Sequence, residues 1–111
     1  MKKDCINVIE ELRALDLTVQ VDDEYVRITE TVSTMQGEGV IVANMRFSKK
    51  FMYIALPVVY HAYVMTIRYT QCDGVSLLNA SYLLYIRDTI LFSTLDITSD
   101  VVYDNVTSIA S

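Results

Sequence analysis

Apolar positions near the start of the chain recur every three or four residues. Cys5, Val8, Ile9, Leu12 and Leu15 fall on one side of a helix over residues 4–15, with Glu10, Glu11 and Arg13 on the other. Asp4 suits the first turn, where a carboxylate meets the positive end of the helix dipole. At Leu17 the period drops to two. Leu17, Val19 and Val21 alternate with Thr18, Gln20 and Asp22, and beyond Asp22-Asp23-Glu24 the alternation resumes, with Val26 and Ile28 against Arg27 and Thr29. Two half-buried strands joined by an acidic hairpin turn are the simplest account.

Residues 31–39, TVSTMQGEG, hold two of the three glycines and no period, and read as a loop. A further strand follows over 40–47, with Ile41, Ala43, Met45 and Phe47 on one face, and Ser48-Lys49-Lys50 reads as a turn. Next comes FMYIALPVVYHAYVMTI, Phe51 to Ile67, which has no formally charged residue. A membrane helix needs about 20 apolar residues. This run is shorter, and Pro57 and His61 fall near its middle. Proline lacks an amide donor and crowds the preceding turn, so one long helix of any kind is disfavoured. Alternation of Tyr63, Met65, Ile67 and Tyr69 with Val64, Thr66 and Arg68 then predicts two strands, Phe51 to Leu56 and Ala62 to Thr70.

After Cys72-Asp73-Gly74, residues 75–81 read as a short helix with Asp73 or Ser76 near its start. LLYIR at 83–87 and ILFSTL at 90–95 read as a hairpin turning on Asp88-Thr89. Thr98, Ser99 and Asp100 then offer a cap for a closing helix over 99–110, which would put Val102, Val106 and Ile109 on one face. The sum is one α+β domain over residues 1–111: an antiparallel sheet of about five to seven strands packed with N-terminal, C-terminal and short middle helices. The VIEELRAL opening helix, LLN at 77–79 before a strand pair, and the closing helix carry a resemblance. In these features the chain resembles the small domain of class I type III secretion chaperones and the YbjN sensory-transduction-regulator family, which shares that fold. The resemblance implies a chaperone-like adaptor or regulator.

Composition narrows the partners. Fourteen acids against nine bases give a net charge of -5, which works against binding a phosphate backbone. No nucleic-acid partner is expected. The charge is uneven, with four bases and nine acids over 1–45, five and one over 46–87, and none and four over 88–111. Dispersal over solvated faces is the plain reading of that imbalance. Cys5 and Cys72 lack the spacing of redox or zinc motifs, and two reduced thiols are a simpler reading than one long-range bridge. Lysines at 2 and 3 precede apolar residues as in a signal peptide, but Asp4, Glu10 and Glu11 interrupt any apolar core, so a cytoplasmic protein is expected.

Chemistry is sparse. His61 is the single histidine, which excludes clustered-histidine metal sites and two-histidine mechanisms within one chain. A structural histidine held through one ring nitrogen is the better expectation for it. Asp22-Asp23-Glu24 diverge around a turn and read as solvated acids rather than cation ligands. Arg46, Lys49 and Lys50 with Phe47 and Phe51 are too few for a nucleic-acid site. No nucleophile elbow, phosphate loop or metal motif occurs, so no catalytic residue, metal or cofactor is expected.

Eight tyrosines without a tryptophan are the unusual compositional feature. Tyrosine suits half-buried sheet faces and protein interfaces alike. Phe51, Tyr53, Tyr60, Tyr63 and Met65 are therefore candidate partner-binding residues on an apolar sheet face that the helices would be too few to cover. The resulting expectation is a non-enzymatic interaction module, most simply a homodimer. A different binding mode is a small acidic inhibitor or immunity-type protein whose Asp88, Asp96, Asp100 and Asp104 block a basic surface. A tyrosine-lined pocket around His61, serving an enzyme or ligand carrier, is the third reading.

Overall fold

The computed structural model describes residues 2–33, 39–69, 76–88 and 95–104, except for the side chains of 2–5, 103 and 104. Helix α1 spans Lys2–Ala14, and strands β1 (Thr18–Val21), β2 (Tyr25–Ser33) and β3 (Val40–Ser48) follow. A single 3-10 turn, Lys49–Phe51, leads into α2 (Met52–Tyr69). Helix α3 (Leu77–Ser81) runs on through a π-helical turn, Tyr82–Ile86, and β4 (Thr98–Asp104) completes the sheet. The four strands lie in the spatial order β1-β2-β3-β4, every neighbour antiparallel. The fold class is therefore α+β with an antiparallel sheet; four strands occur among the described residues, and the further strands of the expected five to seven are not found there.

The opening pattern is realised closely. Helix α1 ends where Asp16 takes a left-handed conformation, φ 67°. The Leu17 amide then reaches back to the Leu12 carbonyl at 3.2 Å, and that of Asp16 to Arg13 at 3.0 Å. These are the two bonds of a Schellman cap, with the buried Leu12 and Leu17 as its apolar contact. The Arg13 guanidinium donates to the Val19 carbonyl at 2.8 Å, fixing α1 against β1. At the hairpin, the Asp22 carboxylate accepts from the Glu24 and Tyr25 amides at 2.9 and 2.7 Å. Those two bonds, more than the Arg27 and Lys49 charges, hold its carboxyl below the usual carboxylate value.

The largest departure is at residues 51–69, where two expected strands are one helix. Its buried residues are Ala55, Leu56, Val59, Ala62, Tyr63 and Thr66. The spacing 55, 59, 62, 66 is helical, but it is written in Ala, Val and Thr, so it is hidden beneath the strand-like alternation of large side chains at 63–69. The Thr66 hydroxyl is satisfied by the Ala62 carbonyl at 2.8 Å. Ser48 starts the turn before the helix, its hydroxyl accepting from the Lys50 amide at 3.4 Å. Pro57 remains inside α2, on the exposed side, so the Tyr53 carbonyl deprived of its amide is not sealed into the core.

The C-terminal half departs as well. The expected middle helix is present, and Ser76 is its cap, accepting from the Asn79 amide at 3.0 Å. Residues 83–86, expected as the first strand of a hairpin, continue that helix instead. The helix expected over 99–110 is strand β4 as far as Asp104, because an antiparallel register pairs Thr98 with Arg46 and Asp104 with Val40. Strand β2 also extends through Ser33, into what read as loop. Positions 34–38, 70–75, 89–94 and 105–111, with the side chain of Cys5, lie outside the described residues. The pairing of Cys5 with Cys72 and the role of Asp73 fall there.

All three helices cover one face of the sheet. Val19, Val26, Ile28, Ala43, Met45 and Phe47 point inward to meet Leu12 of α1, Leu56 and Val59 of α2, and Leu78 and Ile86 beyond. No described element covers the opposite face. It carries Thr18, Gln20, Arg27, Thr29, Thr31, Asn44, Arg46, Thr98 and Asp100 by the alternate parity, and all are exposed or half-buried. An uncovered sheet face was expected; the one present is mostly polar, with Val40, Val42 and Val102 at one end of it, and the larger apolar surface sits elsewhere.

Candidate functional site

Two places concentrate side chains that packing alone does not explain. The first is inside. Strict alternation along β2 carries Val26 and Ile28 to the core and therefore Glu30 as well, which is only 6% exposed. Its carboxylate has three donors, the Tyr63 hydroxyl at 2.7 Å, the Ser76 hydroxyl at 2.7 Å and the Leu78 amide at 3.0 Å. Strand β2, helix α2 and the start of α3 thus meet on one acid. Burial, then the bond to Glu30, pushes the Tyr63 phenol well above its ordinary value. No buried side-chain nitrogen or oxygen among the described residues lacks a partner. The triad Glu30–Tyr63–Ser76 was missed in the sequence, although the parity 26, 28, 30 pointed to it.

Such a site holds three elements together and offers no open position to a substrate. Tyr63, expected at a partner surface, is a core residue. Tyr60 is half-buried and engaged with α1: its phenol is raised by a hydrogen bond to the Glu11 side chain, then by burial. Phe51 and Met65 are half-buried, and Tyr53 is 46% exposed. Of the five aromatic and methionine candidates, Tyr53 alone stands fully at the surface. They were grouped as one sheet face; on a helix they divide around its circumference.

The second place is the outer side of α2 with the turn that follows α3. From Met52 to Ile67 the helix has no formally charged residue. Only one side of it faces the core. The outer side presents Tyr53, Ile54 at 58% exposure, Pro57 and His61. Beside them stand Leu83, Leu84 at 62% and Tyr85. Pro57, Val58, His61, Ala62 and Tyr85 line an apolar groove of about 340 Å³. His61 is exposed there, so it is not the strand-held structural histidine that was expected, and Tyr63 lies on the other side of the helix. Together with its leading turn, Lys49–Tyr69, this helix is long and apolar enough to cross a membrane, but a third of the apolar window is buried within the chain. An apolar helix with one side against its own sheet leaves the other side for something else to cover.

The acidic candidates lie on different elements. Asp88 pairs with Arg87 at 3.4 Å in the open. Asp96 occupies an exposed turn with φ 56°. Asp100 lies on the open sheet face opposite Asn44, and only the backbone of Asp104 is described, paired with Val40. The Asp22 carboxylate serves its own turn, and no group of three His, Cys, Asp or Glu side chains that could hold a metal ion occurs among the described residues. No family model, curated protein or solved structure matches the chain.

Proposed function

We propose that the protein is a non-enzymatic interaction module, a chaperone-like adaptor or regulator, that associates with a second copy of itself through the outer side of α2 and the turn over Tyr82–Ile86. The observation that carries this reading is the exposure of Ile54 and Leu84 on a helical surface with no charged side chain for sixteen residues of α2. A surface of that kind has no charge to complement, so its best partner is equally apolar, and a two-fold axis supplies one automatically. Helix α2 is eighteen residues long and His61 stands at its middle. Antiparallel pairing about His61 brings Ile54 of one copy toward Arg68 of the other. Arg68, the only formally charged residue of α2, then lies at the rim, where it remains solvated.

Light scattering on the eluting protein tests this. The dimer reads as twice the 12.6 kDa chain mass, and Leu84→Glu returns it to 12.6 kDa with the circular dichroism of the parent. A strict monomer at about 50 μM, where an interface of standard size is saturated, would sink the reading. Flotation of the protein with anionic or neutral vesicles would equally replace a second copy by a lipid surface.

A further inference from the structure

The open face of the sheet holds a feature that the α2 surface does not explain. The strand register sets Arg27 of β2 directly opposite Arg46 of β3, and both side chains are exposed. Like charges at directly opposed positions oppose strand pairing. Among the described residues neither guanidinium makes an ion pair, and the Asp100 carboxylate on the same face approaches neither within 4.0 Å. Arg46 instead lies over the ring of Tyr25, 4.5 Å from guanidinium carbon to ring centroid. That contact orients the guanidinium without neutralising it.

In the next cross-strand row the Thr29 hydroxyl donates to the Asn44 side-chain oxygen at 3.0 Å. The bond leaves the Asn44 amide nitrogen, a donor, for the neighbouring space. These groups surround a concavity of about 420 Å³ lined by Arg27, Asn44, Arg46, Thr98, Ser99 and Asp100. A chain with five more acids than bases has thus placed two unpaired cations and an amide donor around one hollow.

We infer that this face binds an acidic peptide segment, with a glutamate or aspartate carboxylate seated between Arg27 and Arg46. Each guanidinium presents a planar fork that matches a carboxylate, and Asn44 adds a donor from the side. Two observations favour a peptide over a phosphate-bearing strand. Asp100 stands on the wall of the hollow, where it repels a polyanion more than a single carboxylate. On the same face, Val42 pairs with Val102, which is 54% exposed, so an apolar side chain next to the acid finds a seat. The site is independent of the α2 surface and goes beyond the self-association reading.

The experiment is an amide chemical-shift titration of the full 111-residue chain with a blocked Gly-Val-Glu-Val-Gly peptide, which carries a single carboxylate, its Gln-for-Glu counterpart, and inorganic phosphate at matched ionic strength. The Glu peptide should give saturable shifts at Arg27, Asn44, Arg46 and Thr98. Affinity should fall about tenfold or more for the Gln peptide, and likewise for Arg27→Gln or Arg46→Gln, as expected on loss of a charge-assisted bond. Both substitutions are on exposed side chains, and relief of the like-charge contact offsets loss of the Arg46–Tyr25 contact or of the Arg27 charge near Asp22, so melting temperatures close to the parent's are expected. Equal affinity for the two peptides, phosphate binding as tight as the Glu peptide, or no saturable shift would overturn the assignment. Shifts at these residues that grow with the concentration of the protein alone would give the face to a second copy and overturn it too.

Discussion

Replacing Glu30 by Ala is the sharpest perturbation of this fold. The substitution removes the acceptor of three buried donors at once, the hydroxyls of Tyr63 and Ser76 and the Leu78 amide. A buried donor left without a partner costs about 1–3 kcal/mol. Water admitted to the vacated volume recovers part of that, so the total is about 3–5 kcal/mol. For a chain of this size such a loss lowers the melting temperature by roughly 12–20 °C. Glu30→Gln is the informative control. Its amide oxygen keeps the bonds from Ser76 and Leu78 and its amide nitrogen can donate to the Tyr63 oxygen, which leaves the Tyr63 hydroxyl proton as the one orphaned phenol donor, so the cost is about 1–3 kcal/mol, below that of Glu30→Ala. Tyr63→Phe removes one donor to the carboxylate and should cost about 1.5–3 kcal/mol. Urea unfolding followed by circular dichroism measures all three, provided the slope with denaturant stays at the parent's value. If Glu30→Ala costs no more than Glu30→Gln, the acid does not tie the three elements together and the reasoning fails.

Three further outcomes follow from particular groups. Asp16→Gly relieves the left-handed conformation at the end of α1 and should raise stability by about 0.5–1 kcal/mol; a loss would mean that the Asp16 side chain contributes to the cap. The folded state keeps Tyr63 protonated above the value at which the unfolded chain ionises, about 10. Its contribution is therefore complete below that pH and is lost as pH rises beyond it, so the parent should lose stability above pH 10 more steeply than Tyr63→Phe. Asp22 has the opposite sign. Its depressed value stabilises the hairpin above its ordinary pKa and is lost as pH falls through the folded one, so Asp22→Asn should flatten the acid limb of the stability profile.

Apart from 31–33, which read as loop but close β2, the described residues up to 48 were legible because their apolar faces are written mostly in large side chains. Helix α1, the hairpin and β3 follow from one helical and three period-2 runs, and the observed register honours them. Residues 51–69 were not legible for the opposite reason. The inner face of α2 consists largely of Ala55, Val59, Ala62 and Thr66, while the conspicuous aromatics are divided between core and surface, so bulk and burial are uncorrelated along the helix. Pro57 added a false break, because a proline on the exposed side of a helix is tolerated where one facing the sheet would not be. β4 was read as a helix since capping chemistry at 98–100 is local, whereas its partnership with β3 spans about fifty residues of intervening chain.

The same distinction governs the sites. The aromatic concentration did mark a surface of interest, but on a helix, and with Tyr60 and Tyr63 turned to Glu11 and Glu30 instead of outward. Ile54 and Leu84, the most exposed aliphatic positions there, carried no signal beyond ordinary hydrophobicity. Glu30 and the Arg27–Arg46 pair become visible only once parity and register are fixed together.

Cross-linking at His61 tests the central claim most directly. With Cys5 and Cys72 changed to Ser, a cysteine at position 61 sits beside its own copy if two α2 helices cross antiparallel at their midpoints, within the roughly 7 Å Cα separation that a disulfide requires. Mild oxidation should convert His61→Cys into a covalent dimer within minutes, while Thr31→Cys, on the open face of the sheet, remains monomeric. Equal slow cross-linking of both, or of neither, would show that the outer side of α2 is not where two copies meet.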